Sequence, residues 1–145
     1  MAVKVAINGF GRIGRLVARA LLERDDHDFD LVAINDLADA KANALLFQYD
    51  STHGRFPGEV SASDDSITVG GKTIAVTSER NPGDLPHKDM GVDIVLECTG
   101  FFQSHEAAEP HLTAGAKRVL ISAPAKNVSK TVVFGVNQDL SLIHI

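Results

Sequence analysis

Three glycines near the N-terminus have the spacing of a phosphate-binding loop. Gly9, Gly11 and Gly14 form the pattern G-x-G-x-x-G directly after a short β-branched segment. In such a loop the first glycine permits a tight turn, the second lets the backbone approach a pyrophosphate, and the third lets a helix pack closely on a strand. The N-terminus of that helix would offer free N–H groups and a partial positive charge to the phosphates. The alternative is a glycine turn that only joins a strand to a helix.

An acidic residue, Asp36, favours the first interpretation. It follows the second apolar segment, 22 positions after Gly14, where a dinucleotide-binding domain carries the carboxylate that accepts the adenosine ribose hydroxyls. The same charge would repel the 2′-phosphate of NADP, and positions 37–40 hold no Arg or Lys. NAD is therefore the expected cofactor. The alternative is that Asn35 and Asp36 cap the next helix.

The spacing of apolar residues predicts the strands and helices around this loop. Val3–Ile7 is a short β-branched run and Leu31–Ile34 is a continuous apolar run, and both are predicted to be strands. Between them an amphipathic helix is predicted, with its inward stripe formed by Ile13, Leu16, Val17, Ala20 and Leu21. A second helix is predicted over Ala38–Phe47, with Ala42, Leu45 and Leu46 facing inward.

The remaining elements continue the alternation. Two β-rich stretches, Ser66–Val69 and Thr73–Thr77, flank Gly70-Gly71-Lys72 and predict a hairpin. Strands are expected at Val92–Leu96 and Val119–Ser122, and an edge strand at Thr131–Phe134. A helix over Ser104–Ala114, capped by Ser104, should kink at Pro110 or begin a second turn there.

Buried strands alternating with amphipathic helices predict a Rossmann-type, doubly wound α/β domain: a mostly parallel sheet covered on both faces, with a β-hairpin inserted near its middle. The length of 145 residues allows one domain, which we place at residues 1–139. The net charge of −5 argues against nucleic-acid or anionic-membrane partners. No apolar run is long enough to span a membrane, and the N-terminus lacks the features of a signal peptide. We therefore expect a cytoplasmic protein.

Several further residues have side chains that could take part in binding or catalysis. Thr99 and Ser122 follow predicted parallel strands, whose carboxyl ends face the ligand cleft of such sheets, although ordinary loop roles are equally compatible with their position. Arg80 by itself would be a solvated charge. Cys98 ends an apolar strand without a nearby histidine, which favours an inert buried thiol. The six histidines show no metal-ligand spacing, so we predict neither a metal site nor a catalytic residue.

Taken together, the motifs resemble the N-terminal half of phosphorylating glyceraldehyde-3-phosphate dehydrogenases. The resemblance extends from residue 3 to about residue 139, and the stretches that carry it are Val5–Arg15, Val32–Asp36, Tyr49–Arg55, Glu97–Gly100, Gly115–Val119, Ile121–Ala125 and Gly135–Asn137. Erythrose-4-phosphate dehydrogenases are similar too, but they tend to carry Glu at the position of Asp36 and a different segment at Ser122–Ala125.

The resemblance implies specific roles for residues of this chain. Arg12 and Ile13 would hold the pyrophosphate through their backbone, and Asp36 would hold the adenosine ribose. Arg80 would lie near the adenine, while Thr99 and Ser122 would flank the nicotinamide. The family is tetrameric and oxidises a phosphorylated aldehyde through a cysteine thiohemiacetal, with hydride transfer to NAD and release of the acyl group by phosphate.

One departure from the family concerns catalysis. The family's nucleophile lies in a Ser-Cys-Thr-Thr-Asn segment that this sequence lacks, and residues 140–145 do not match the family. Cys98 falls in a different motif and does not replace that nucleophile. We therefore interpret the chain as a truncated cofactor domain that binds NAD without turnover. A stand-alone nucleotide-binding module is the alternative of a different class.

Overall fold

Nine strands and four α-helices alternate along residues 2–140, the part of the chain that the structure, a computed structural model, describes. The strands are β1 Val3–Asn8, β2 Phe29–Asn35, β3 Tyr49–Asp50, β4 Gly54–Arg55, β5 Val60–Ala62, β6 Ser66–Val69, β7 Lys72–Thr77, β8 Ile94–Glu97 and β9 Arg118–Ile121. The helices are α1 Arg12–Glu23, α2 Ala40–Gln48, α3 His87–Met90 and α4 His105–Thr113. Short 3₁₀ turns cover Pro82–Asp84 and Gln138–Leu140.

Seven of these strands form one sheet in the order β5-β6-β7-β2-β1-β8-β9. Strands β7, β2, β1, β8 and β9 run parallel, whereas β5, β6 and β7 pair antiparallel. The chain moves from β1 to β2 on one side and later returns to β8 on the other side. The strand order therefore reverses at β1, and the carboxyl end of β1 is the switch point where such sheets bind ligands. The predicted Rossmann-type α/β class is confirmed.

The predicted hairpin is present, but it lies at one edge of the sheet. Gly70 and Gly71, both at positive φ, connect β6 to β7. Strand β7 then pairs in parallel with β2, so the second strand of the hairpin also belongs to the parallel sheet. Strands β5 and β6 extend the sheet beyond it.

Successive side chains of β1 point to opposite faces of the sheet, and each face carries its own apolar layer. Val5 and Ile7 belong to the larger core beneath α1 and α2, and Ala6 belongs to the smaller core on the opposite face. The larger core includes Phe47, whose ring packs between those of Phe10 and Phe56 at centroid distances of 6.0 and 4.8 Å. Both faces are covered, as the continuous apolar strands predict.

The predicted inward face of α2 is wrong. The buried residues are Ala40, Asn43, Ala44 and Phe47, and Leu45 and Leu46 are 59% and 48% exposed. Ala42 is exposed as well. The helix phase follows Phe47, because its large ring fills the space between two other aromatic rings.

The stripe predicted for α1 is also partly wrong. Ile13 is 52% exposed and Ala20 is exposed, while Gly14, Ala18 and Arg19 are buried. Gly14 sets this rotation, because its missing side chain lets the helix approach the backbone of Gly9. Arg19 lies inside because its guanidinium meets backbone carbonyls there.

Two expectations concern the second half of the chain. Helix α4 continues through Pro110, so no new helical turn begins there. The bond lost at Pro110 falls on the carbonyl of Glu106, an exposed residue that water can reach. The Ser104 cap is confirmed, since its side chain accepts from the Ala107 N–H at 3.1 Å.

The edge strand predicted at Thr131–Phe134 is wrong, because that segment forms no strand. Its polar backbone groups are bound locally by Asn137. The Asn137 side chain accepts from the Val133 N–H at 2.6 Å and donates to the Thr131 carbonyl at 3.1 Å. The Asn137 N–H also bonds to the Val133 carbonyl at 3.1 Å. These bonds close a turn in place of a sheet ladder.

Candidate functional site: a dinucleotide cleft

The glycine loop lies at the switch point and brings β1, α1 and β8 into contact. Gly9 has φ +91°, and a Cβ there would lie 2.7 Å from the Thr99 nitrogen. A Cβ on Gly14 would lie 2.1 Å from the Gly9 carbonyl oxygen, so this glycine permits the close packing of helix on strand. The turn and packing roles predicted for these two glycines are therefore present.

Gly11 differs from the other two glycines because the space beside it is open. A Cβ at Gly11 would meet no atom within 4 Å. Gly11 is also the N-cap of α1, where no side chain makes a capping hydrogen bond and the first turn carries no acidic residue. The first N–H groups of α1 thus face open space without a side-chain acceptor, and such an end suits an anion.

Arg12 and Ile13 contribute their backbone to this helix end. The Arg12 side chain turns aside to the β3–β4 hairpin, where it donates to Thr52 Oγ1 at 3.0 Å and lies 3.7 Å from Asp50 Oδ2. The Ile13 side chain is half-exposed at the edge of the same space. The Arg12 side chain is thus held by the hairpin, and that of Ile13 is accessible to solvent.

Asp36 connects the loop to the end of β2. Its Oδ1 accepts from the Phe10 N–H at 3.0 Å, and its Oδ2 accepts from the Ala38 N–H at 3.1 Å. The cap of α2 is a different residue, Asp39, whose carboxylate accepts from the Ala42 N–H at 2.7 Å. The capping role weighed for Asp36 therefore falls to Asp39. Each Asp36 oxygen retains a lone pair for a further donor.

Arg80 lies in the exposed loop after β7, on the Asp36 side of the switch point. This loop is anchored by backbone bonds of its neighbour Glu79, whose N–H and carbonyl both meet the Asn35 side chain at 2.9 Å. The Asp36 N–H donates to the Thr77 carbonyl at 3.0 Å. The Arg80 loop and the Asp36 turn are thus neighbours.

Thr99 and Ser122 lie on the opposite side of the switch point. Thr99 follows β8 and touches the Gly9 turn, and Ser122 follows β9 and donates its N–H to the Glu97 carbonyl at 3.0 Å. Ser122 is exposed, and Thr99 is half-buried. The sequence-predicted site residues therefore form one row along the carboxyl edge of the sheet, with Asp36 and Arg80 at one end and Thr99 and Ser122 at the other.

A buried polar chain beneath this row was missed by the sequence analysis. Asn35 Nδ2 donates to Asn8 Oδ1 at 2.8 Å, and Asn8 Nδ2 donates to Glu97 Oε1 at 2.5 Å. His111 Nε2 lies 3.0 Å from the same Glu97 oxygen, and His87 Nε2 lies 3.1 Å from His111 Nδ1. All five residues are buried. A signal was available, because β1, β2 and β8 each end on a polar residue directly before the site.

The buried polar chain holds its ionisable groups in defined protonation states. Burial opposes ionisation of Glu97, but hydrogen bonds from His111, Thr99 and Asn8 outweigh it and hold its pKa below the usual value. Burial, and then the neighbouring His111, lower the pKa of His87 to about 4. At neutral pH Glu97 is therefore a carboxylate and His87 is uncharged.

Cys98 is half-buried beneath the same edge. Burial raises the pKa of its thiol, although a hydrogen bond with Ser122 acts in the opposite direction. Because the thiolate is the reactive form, the raised pKa agrees with the inert thiol predicted from the sequence. Among residues 2–140, no group of three His, Cys, Asp or Glu side chains is placed to hold a metal ion. Within the same residues no helix has the length and apolar character needed to cross a bilayer.

Strand order, glycine loop and acidic residue together define a Rossmann-type dinucleotide-binding domain. The chain belongs to the family described as "Glyceraldehyde 3-phosphate dehydrogenase, NAD binding domain", which it matches over residues 3–105. NAD is accordingly its cofactor.

Curated relatives of the chain carry the same family name. It is 62% identical over 143 residues to the glyceraldehyde-3-phosphate dehydrogenase of Zymomonas mobilis subsp. mobilis, 60% over 139 residues to that of Xanthobacter flavus, and 58% over 141 residues to that of Pseudomonas aeruginosa. The matches cover 97%, 96% and 97% of this chain and 42% of each relative. The chain thus spans about two fifths of the length of these relatives.

Proposed function

We propose that NAD lies across the carboxyl edge of the sheet, with its pyrophosphate on the N-terminus of α1. Gly9, Gly11, Arg12 and Ile13 contribute the loop and the first turn of the helix. The observation that carries this proposal is the open, uncapped helix end at Gly11, which lies beside a turn bound by the Asp36 carboxylate. Free N–H groups with no side-chain acceptor suit the negative oxygens of a pyrophosphate.

The two ends of the row then take the two nucleosides. Asp36 accepts the hydroxyls of the adenosine ribose, and Arg80 lies near the adenine. Thr99 and Ser122 flank the nicotinamide half. This direction is supported by the lone pairs that remain on Asp36 and by the general placement of an acidic residue after the second strand.

The same carboxylate gives a preference for NAD over NADP. A 2′-phosphate at this position would meet the negative charge of Asp36. The nearest lysine along the chain, Lys41, pairs with Asp64 in the turn between β5 and β6 at 3.4 Å. Electrostatic repulsion by Asp36 would therefore act on NADP and not on NAD.

We further propose that the chain serves the oxidation of a phosphorylated aldehyde, as the names of its relatives indicate. When bound, NAD supplies the acceptor for the hydride that leaves the substrate. The contribution of this chain is to bind and orient the cofactor, since Cys98 has a raised pKa and the sequence contains no other cysteine. A homotetramer in the cytoplasm is the setting that we propose for the enzyme.

Asp36→Ala tests the cofactor site. We expect the variant to bind NAD about tenfold more weakly, because one or two ribose hydrogen bonds are lost, and to lose most of its preference over NADP. Isothermal titration with both dinucleotides gives the two affinities. Asp39→Ala is the matched control, since it removes a carboxylate three residues away that only caps α2. Equal NAD-to-NADP ratios in the parent and in Asp36→Ala would contradict the proposal.

A further inference from the structure

The Glu97 carboxylate is surrounded by hydrogen-bond donors. Its Oε1 accepts from Asn8 Nδ2 at 2.5 Å and faces His111 Nε2 at 3.0 Å. Its Oε2 accepts from the Thr99 N–H at 3.0 Å and from the Thr99 hydroxyl at 2.6 Å. A carboxylate offers about four acceptor sites, so these four donors saturate Glu97.

The saturated carboxylate fixes the direction of the Thr99 hydroxyl. An ionised carboxylate only accepts, so the hydroxyl proton of Thr99 points towards Glu97. One lone pair of the hydroxyl oxygen takes the Phe101 N–H at 3.1 Å. The second lone pair is the group that Thr99 Oγ1 can still offer to a ligand. Towards the cleft this hydroxyl therefore acts as an acceptor and cannot donate.

Two histidines behind Glu97 keep the arrangement in this state. An Nε2–H of His111 donates to Glu97, which leaves His111 Nδ1 to accept from His87 Nε2–H at 3.1 Å. With the shared proton on His111 Nδ1 instead, the three groups are equally satisfied, and in either assignment the Nε2–H of His111 faces Glu97. Both rings are buried, so water does not compete for these bonds.

The position of Thr99 relative to the cleft determines what it meets. Asp36 and Arg80 occupy the β2 side of the Gly9 turn, and Thr99 touches that turn from the β8 side. A dinucleotide with its adenosine at Asp36 and its pyrophosphate on α1 extends towards Thr99. The half that arrives there is the nicotinamide nucleoside.

We infer that Glu97 is a positioning residue that holds the Thr99 hydroxyl as an acceptor for a hydrogen-bond donor of the nicotinamide nucleoside. The inference rests on the proposed mode of NAD binding. Two donors of that nucleoside share this chemistry: the amide of the carboxamide group and a hydroxyl of the ribose. Ligands that lack one or the other of these donors show which of the two binds Thr99.

Thr99→Val and Thr99→Ser form the first pair of variants, because valine removes only the hydroxyl and serine retains it. We expect Thr99→Val to bind NAD about five- to tenfold more weakly, as for the loss of one hydrogen bond, and ADP with unchanged affinity. Thr99→Ser should bind both like the parent. Thr68→Val is a matched control, since Thr68 pairs with Thr73 on the distant hairpin.

ADP-ribose and nicotinic acid adenine dinucleotide identify the donor. ADP-ribose has the second ribose but lacks the ring, and the acid analogue replaces the carboxamide with a carboxylate. A loss with NAD that is absent with ADP-ribose assigns the carboxamide amide, and the acid analogue should then bind the parent poorly. A similar loss with NAD and ADP-ribose assigns a ribose hydroxyl. Either pattern supports the inference.

Glu97→Gln tests the positioning role. With the glutamine carbonyl facing Asn8 and His111, its NH₂ replaces the oxygen that accepts from Thr99. The Thr99 N–H then loses its acceptor, and the hydroxyl accepts from the NH₂ and turns its proton outward. We expect the same five- to tenfold loss with NAD and none with ADP. In the Thr99→Val background the substitution should cause no further loss, because the hydroxyl through which it acts is absent.

Several results would overturn the inference. These are full NAD affinity in Thr99→Val, an equal loss with NAD and ADP, or additive losses in the double variant. If Glu97→Gln does not fold, the carboxyl carbon-13 shift of Glu97 in the parent decides, since a protonated Glu97 at neutral pH would refute it. A parent that binds no dinucleotide would instead refute the proposed function. If Asp36→Ala loses the preference for NAD over NADP but Thr99→Val binds NAD like the parent, the proposed function stands and only this inference is refuted.

Discussion

At the scale of single residues, the buried histidine His87 makes stability depend on pH. Its folded pKa of about 4 lies below the model-peptide value of 6.5, so the unfolded chain binds more protons between these values. The contribution of His87 to the unfolding free energy is fully present above pH 6.5 and is lost as the pH drops towards 4. The difference between the two pKa values corresponds to about 3 kcal/mol of unfolding free energy. Glu97 acts in the same direction at lower pH, because its folded pKa is also depressed.

His87→Gln tests this dependence. Glutamine keeps an N–H near the position of Nε2 for His111 but does not titrate. We expect chemical denaturation between pH 7 and pH 4.5 to show a smaller loss of unfolding free energy in the variant than in the parent. His53→Gln serves as the control, since His53 is exposed on the β3–β4 hairpin. A parent and a variant with parallel pH profiles would show that His87 is not the group responsible.

The residues that sequence reasoning missed share one physical property: they are polar and buried. Arg19 was assigned no role, yet it is in the core with its guanidinium 5.8 Å from the ring centroids of both Phe47 and Phe56. Asn8 and Asn35 are equally hidden. Composition and period identify apolar positions, whereas the burial of a polar group depends on partners that only the fold brings together.

At the scale of elements, Arg19 joins α1 to the end of α2 and to the β3–β4 hairpin. It donates to the carbonyls of Phe47 and Gly54 at 2.8 Å and to that of Gln48 at 3.2 Å. Arg19→Met preserves the packing of the side-chain stem but leaves buried carbonyls unsatisfied. We expect a loss of about 3 kcal/mol in unfolding free energy.

Arg24→Met provides the comparison for Arg19→Met. Arg24 lies just past the end of the same helix and pairs with Asp26, but its side chain is 65% exposed. Urea unfolding should therefore give the same midpoint for Arg24→Met and the parent. Similar midpoints for the Arg19 and Arg24 variants would mean that the buried contacts of Arg19 contribute little.

The glycine loop gives a second prediction at this scale. In Gly14→Ala the new Cβ would lie 2.1 Å from the Gly9 carbonyl oxygen, so α1 must move away from the sheet. We expect about 3 kcal/mol of destabilisation. Gly11→Ala should change stability by less than about 1 kcal/mol, since its Cβ meets nothing and its φ of −74° suits alanine.

The two loop variants should separate stability from binding. The Gly11→Ala methyl group occupies the open space beside the helix N-terminus, so NAD affinity should fall although the fold is intact. Circular dichroism and titration of each variant with NAD measure the two effects. Unchanged NAD affinity in Gly11→Ala would place the pyrophosphate elsewhere.

For the whole molecule, the sequence predicts the fold class well and its surfaces less well. Continuous apolar strands with glycine turns specify the parallel sheet, because few other arrangements bury such strands on both faces. The phase of α2 was wrong, since Leu45, Leu46 and Phe47 are all apolar and only the space beside Phe10 and Phe56 decides among them. Thr131–Phe134 has the composition of a strand, but Asn137 closes it into a turn.

The candidate site also has one part that the sequence predicts and one part that it does not. The row from Arg80 and Asp36 through the glycine loop to Thr99 and Ser122 is predictable, because strand ends of a parallel sheet meet at one edge. The polar chain beneath it is not predictable from spacing, since it joins five elements that are distant in sequence. Positions along the edge formed by the strand ends are thus easier to predict than the buried polar groups beneath them.

Binding at this edge should stabilise the entire domain. The site joins the ends of β1, β2 and β8 to α1, so NAD binds the folded chain and not the unfolded one. At a concentration one hundred times its Kd, NAD should add about 2.7 kcal/mol and raise the Tm by roughly 5–10 °C. NADP at that concentration should raise it far less, because its 2′-phosphate meets Asp36. Differential scanning calorimetry with each dinucleotide measures both shifts, and equal shifts would mean that Asp36 does not face the ribose.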